Sequence, residues 1–158
     1  QFNQVRLNVL GRQRSLPILQ DEVSEMRAKM RHNHGTQITQ GGLGPNAFNS
    51  DVQFDLKQDA GGIVDIEFMV QYAVLAWSWQ YPQLATYTDN IRILDGLGAE
   101  NLLDVDLVHI LQEAYKAYRA AAHRLALQKQ QGVVEGNLFI NERHAVMDVW
   151  QALGLSYL

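Results

Sequence analysis

The sequence predicts a mainly α fold: an antiparallel helical bundle carrying one short strand or hairpin. Three observations point there. Apolar residues recur at spacings of three and four through most of the 158 residues, only three prolines interrupt them, and period-two alternation is confined to residues 52–57.

Residues 2–11 place Phe2, Val5, Val9 and Leu10 at helical spacing, with Gly11 as a stop. A second helix is expected over 16–33. Leu19, Val23, Met26 and Met30 form its apolar face, acids come early and Lys29, Arg31 and His32 late, the order a helix dipole favours. Residues 35–50 hold no Asp, Glu, Lys or Arg and read as a loop. In the next segment Val52, Phe54 and Leu56 alternate with Gln53, Asp55 and Lys57, a short strand. Its backbone needs a partner, either elsewhere in this chain or in a sheet outside it. After Gly61 and Gly62 the chain is nearly all apolar to Trp79, which predicts a central buried helix. A helix over 89–97 is expected with Thr88 as N-cap and Gly98 as stop, and the longest helix over 104–129. The last helix is expected to start from Asn141 as N-cap and to turn Val146, Val149, Trp150 and Leu153 inward. Three regions result: 1–50, connecting helices and polar loop; 51–60, the strand; and 61–158, the helical bundle.

Composition bounds the function. With 47% hydrophobic and 19% charged residues the chain is globular and long enough for a real core. A net charge of −4 gives no field that would draw nucleic acid or an anionic membrane, and neither is expected as a partner. The absence of cysteine excludes disulfides and thiolate metal sites and agrees with a reducing, cytoplasmic setting. Residues 64–79 come nearest to a membrane span, but Asp65, Glu67 and Gln71 interrupt them. No leader is expected, and a chain opening on Gln1 is read as a fragment of a longer protein.

Two glycines before a helix suit a phosphate, because the first amides of a helix point outward; the same pair is common at ordinary turns. Asp65 and Glu67 are carboxylates in a run that otherwise favours burial. One reading has Asp65 accepting backbone amides in the first helical turn while Glu67 pairs with an arginine. The other has them hold Mg²⁺. Positions i and i+2 diverge by about 200° on a helix, so the two do not easily share one ion. Arg119 and His123, one turn apart, are expected to form a polar network with Asp89, Asn90 or Arg92. His32 and His34 give only a weak metal signal, and His109 and His144 read as solvated.

The run from Phe54 through Gly61-Gly62-Ile63-Val64-Asp65-Ile66-Glu67-Phe68 to Gln71-Tyr72 resembles the glutamine synthetase adenylyltransferase family. Met26 to Arg31, Tyr87 to Leu94 and His123 to Gln128 fit the same family, so the likeness covers nearly the whole chain, with 35–50 the least similar part. The resemblance implies a carboxy-terminal portion of the adenylylating half. There a nucleotidyltransferase of the DNA-polymerase-β type, followed by a helical domain, transfers AMP from ATP to a tyrosine of glutamine synthetase. The other half removes it, under control of PII signalling protein and glutamine. ATP and Mg²⁺ are the implied cofactors. Asp65 and Glu67 become candidate catalytic and metal carboxylates, and Lys57, Gly61 and Gly62 candidate nucleotide contacts. The family's Asp-x-Asp pair after a Gly-Ser turn is absent; Asp104-Val105-Asp106 opens a helix instead. The metal site is therefore expected upstream, the strand is expected to dock on that missing sheet, and the chain alone is expected to be inactive. Asp65→Asn and Glu67→Gln are then expected to slow the full enzyme more than they loosen its fold. The alternatives are a non-catalytic module binding glutamine synthetase, PII protein or glutamine, and the related PII uridylyltransferase, against which the Gly-Gly-Ile segment argues.

Overall fold

The computed structural model describes residues 2–36, 48–49 and 51–158. Most of the expected 35–50 loop lies outside the described residues. Among them are six α-helices and two short strands: α1 (Phe2–Leu10), α2 (Leu16–His34), β1 (Gln53–Asp55), α3 (Ile63–Trp77), α4 (Asn90–Ala99), α5 (Val105–Leu127), β2 (Val133–Glu135) and α6 (Ile140–Ala152). A 3-10 turn, Pro82–Ala85, joins α3 to α4. This is the mainly α bundle the periodicity predicts.

α3 is the central element. It packs against α2, α4, α5 and α6 and buries ten of its fifteen residues, as a helix apolar on most faces must. Around it Leu111, Tyr118, Val146, Trp150, Leu94 and Leu97 close the core. Leu19 of α2, Phe54 of β1 and Leu56 just after it join the same cluster, so all three sequence regions share one core.

Four expectations change in detail. The strand is not orphaned: β1 pairs antiparallel with β2, Phe54 opposite Val134, and Leu56 N–H to Gly132 O (2.9 Å) and Gly136 N–H to Val52 O (2.7 Å) extend the ladder. β2 escapes a periodicity search because its two valines are too few to alternate. The buried face of α2 is also rotated. Met26 is 62% exposed, while Ser24, Arg27, Ala28 and Arg31 face inward beside Leu19. Two arginines lie inward because the carboxylate and carbonyls they bond lie there. α4 is capped by Asp89 rather than Thr88, its carboxylate accepting from Ile91 N–H (2.8 Å). Finally, α6 begins ahead of Asn141. Phe139 precedes it at φ 61°, held with its ring edge-on to Tyr118, 5.5 Å between centroids.

Candidate functional site

The segment between β1 and α3 folds on its own polar groups. The Asp55 carboxylate accepts from the amides of Lys57 (2.9 Å) and Gln58 (3.0 Å), which tightens the turn. The Asp59 carboxylate accepts from Asp55 N–H (2.8 Å) and from Thr36 N–H (2.7 Å). The amides that open α3 are bonded within this turn. Gly62 N–H donates to Asp59 O, Ile63 N–H to Leu56 O, Val64 N–H to Lys57 O, and Gly61 N–H to Asp65 Oδ2. None of the four is free for the phosphate that Gly61 and Gly62 suggested.

The glycines serve close approach instead. A Cβ on Gly62 would sit 2.6 Å from Leu56 O and 2.9 Å from Asp59 O. Gly61 has φ +82° and lies against the backbone of Arg143.

Asp65, in the first turn of α3, is wholly buried against an equally buried Arg27 of α2, with Nε 2.5 Å from Oδ1. Its other oxygen accepts from Gly61 N–H and from the Tyr157 hydroxyl, each at 2.7 Å. Arg27 also donates to Gln58 O (2.7 Å). One ion pair thus ties α2, the glycine turn, α3 and the segment after α6 together. Arg31, one turn along α2, donates to Leu158 O (2.8 Å) and stands over the Tyr157 ring. Burial holds the Tyr157 hydroxyl well above its ordinary range, and the neighbouring Asp65 charge adds to that. Arg143 of α6 lies nearby with its guanidinium 3.9 Å from the Phe54 ring centre and bonded to Ala60 O; burial lowers its pKa.

Glu67 points elsewhere, as a two-residue step on a helix requires. It is half-buried and lines two open clefts. One, about 390 Å³, is formed with Lys57, Ile63, Tyr115, Arg119, Ala122, His123 and Ala126. The other, about 380 Å³, runs between α1, α3 and the start of α4. The Arg119 network exists in reduced form: Arg119 Nη1 and Asn90 Nδ2 each lie 3.2 Å from the Tyr115 hydroxyl. His123 turns to the Glu67 cleft. His32, His34, His109 and His144 are exposed, and His144 stacks on Phe48.

The donors do not fit Mg²⁺ by themselves. Among the described residues no group of three His, Cys, Asp or Glu side chains could hold a metal, and both oxygens of Asp65 are engaged by hydrogen bonds. Arg27, Arg31, Arg143 and Tyr157 complete this site without being singled out by the sequence pattern. The available signal was two arginines at i and i+4 next to the small residues Ser24 and Ala28 on a helix whose expected apolar face was sparse.

The fold is thus a helical domain centred on a buried arginine–aspartate pair, with a charged cleft on the far side of the same helix. A family model described as GlnD PII-uridylyltransferase matches residues 24–155, and the chain belongs to that family. Among its relatives are bifunctional glutamine synthetase adenylyltransferase/adenylyl-removing enzymes. Those of Pseudomonas syringae pv. tomato, Pseudomonas aeruginosa and Pseudomonas putida are 63%, 61% and 56% identical to it over 99%, 98% and 98% of this chain. The chain spans 16% of the length of each. The adenylyltransferase likeness seen in the Gly-Gly-Ile run is therefore shown. That run does not, however, set the chain outside the family model that bears the uridylyltransferase description.

Proposed function

We propose that this chain is the helical portion of the adenylylating half of a glutamine synthetase adenylyltransferase, contributing to transfer of AMP from ATP to a tyrosine of glutamine synthetase. What carries the reading is the 56–63% identity to enzymes of that name along nearly all of this chain. The metal-holding carboxylates then belong to the part of the protein this chain does not span, and the chain alone transfers nothing. Within it Asp65 is a positioning residue that fixes the start of α3. Glu67 and Lys57 are the polar side chains α3 and its preceding turn present to an open cleft, where they support the reacting nucleotide. PII protein and glutamine are its proposed regulators. In the full-length protein, Glu67→Gln is expected to lower the adenylylation rate at least about tenfold with an unchanged thermal midpoint. A wild-type rate would remove Glu67 from the reaction. Transfer of labelled AMP to glutamine synthetase by the 158 residues alone would overturn the division of labour.

A second reading, a non-catalytic module, draws on the clefts that meet at Glu67 and Asn90. Capture of glutamine synthetase or PII protein by the isolated chain, with no change of rate in full-length Glu67→Gln, would favour it.

A further inference from the structure

The cleft between α3 and α5 gathers polar side chains that, among the described residues, form no ion pair. Lys57, Arg119 and His123 stand around it with Glu67 on the α3 side, and Ile63, Ala122 and Ala126 line it between them. Among the described residues no ion pair joins any of these four side chains, although they share a space of about 390 Å³. A solvated charged face usually pairs its charges at neighbouring helical positions. Here the two alanines, one turn apart on α5, leave room between the charges.

Among the described residues, Arg119 is the one side chain of the four with a tether. Its guanidinium lies 5.6 Å from the Tyr115 ring centre, and one nitrogen bonds the Tyr115 hydroxyl, leaving its other donors available. Tyr115 and Arg119 also line a neighbouring cleft with Thr88, Asn90 and Lys116, so the guanidinium stands where the two join.

We propose that this cleft binds a phosphate-bearing small molecule, with Lys57, Arg119 and His123 on the phosphate and Glu67 accepting from a hydroxyl of the same ligand. Converging nitrogen donors suit a phosphate dianion better than a single carboxylate. Glu67 repels a bare phosphate, so it selects an ester whose hydroxyl turns toward it. The volume lies within the range of small-molecule sites. The inference deepens the transferase reading and rests on it for Lys57 and Glu67; it adds Arg119 and His123, and its test reads equilibrium binding rather than a transfer rate, so either can fail without the other.

The test is titration of the chain, followed by calorimetry and by NMR shifts, with inorganic phosphate, ribose 5-phosphate and ribose. Ribose 5-phosphate is expected to bind saturably and more tightly than inorganic phosphate, and ribose not at all. Arg119→Ala is expected to weaken both phosphate ligands about tenfold or more, the loss of one charge-assisted contact. Glu67→Gln is expected to tighten inorganic phosphate and so narrow the gap between the two. Arg119 and Lys57 are exposed, so their variants keep the fold, which circular dichroism checks. The proposal is overturned by absence of saturation up to about 10 mM, a range that admits even millimolar affinity. Equal affinity for phosphate and its ester overturns it too, as does binding that survives Arg119→Ala combined with Lys57→Ala, which would place it elsewhere.

Discussion

Replacing Asp65 by Asn separates the two roles that a carboxylate at the start of α3 can have. The carboxylate accepts three hydrogen bonds: Arg27 Nε on one oxygen, Gly61 N–H and the Tyr157 hydroxyl on the other. An amide has one oxygen. Turned toward Arg27, it sets its NH₂ against Gly61 N–H, which cannot rotate away; turned the other way, it sets donor against donor at Arg27. Either orientation leaves a buried donor without an acceptor, a cost of about 1–3 kcal/mol. The substitution also removes the negative charge beside a guanidinium with no exposed surface, and breaking such a pair costs about 3–5 kcal/mol in total. Arg27 keeps Gln58 O and the nearby Asp59 backbone, so the lower end, about 3 kcal/mol, is expected. With a urea m-value of about 2 kcal/mol/M, the unfolding midpoint should fall by about 1.5 M. Glu67→Gln, on a half-exposed carboxylate with no ion pair among the described residues, should move it by no more than about 0.25 M, equivalent to about 0.5 kcal/mol. Equal midpoints for Asp65→Asn and wild type would refute the anchoring role. Asp65→Asn would then be expected to act on rate rather than stability, as the sequence alone suggests for both positions.

Two further outcomes follow from the same region. Gly62→Ala should destabilise by about 1–3 kcal/mol in urea melts, because its Cβ would meet two backbone carbonyls that cannot yield, whereas Gly132→Ala, with nothing within 4 Å, should be close to neutral. Stability should also fall above about pH 10. Burial holds the Tyr157 and Tyr118 hydroxyls protonated in the fold beyond the pH at which the unfolded chain ionises them, so the native state binds more protons there. The contribution is full below about pH 10 and declines above it by up to about 1.4 kcal/mol per pH unit for each tyrosine. Urea midpoints from pH 8 to 11 check the slope, and a flat profile would mean the two hydroxyls reach water in the native state.

How far the site was legible depends on which physical signal carried each residue. The helices show because burial imposes a period on apolar residues: α3, apolar on most faces, is central as that pattern requires. β1 shows because Phe54 and Leu56 are buried on one face. Its partner does not, because Val133 and Val134 are only half-buried and the strand is three residues long. Arg27 fails for a deeper reason. Hydropathy assigns an arginine to solvent, and only knowledge of a carboxylate 38 residues away reverses the assignment. A buried charge is a pairwise property, and a sequence pattern is a property of one element.

That difference changes what the two acids mean. Periodicity alone says only that Asp65 and Glu67 diverge, without saying which one faces inward. The fold resolves it through Arg27. Because Asp65 takes the buried cation, the α3 helix is fixed in rotation about its axis, and Glu67 is thereby turned to the cleft with Lys57, Arg119 and His123. The glycines act at the same point, since Gly61 N–H is the third donor to Asp65 and Gly62 lets the turn close beneath it. A polar side chain anchored in the core can therefore still determine where a cleft-facing one points. Loss of Asp65 would be felt at Glu67 through rotation of α3 rather than through missing chemistry.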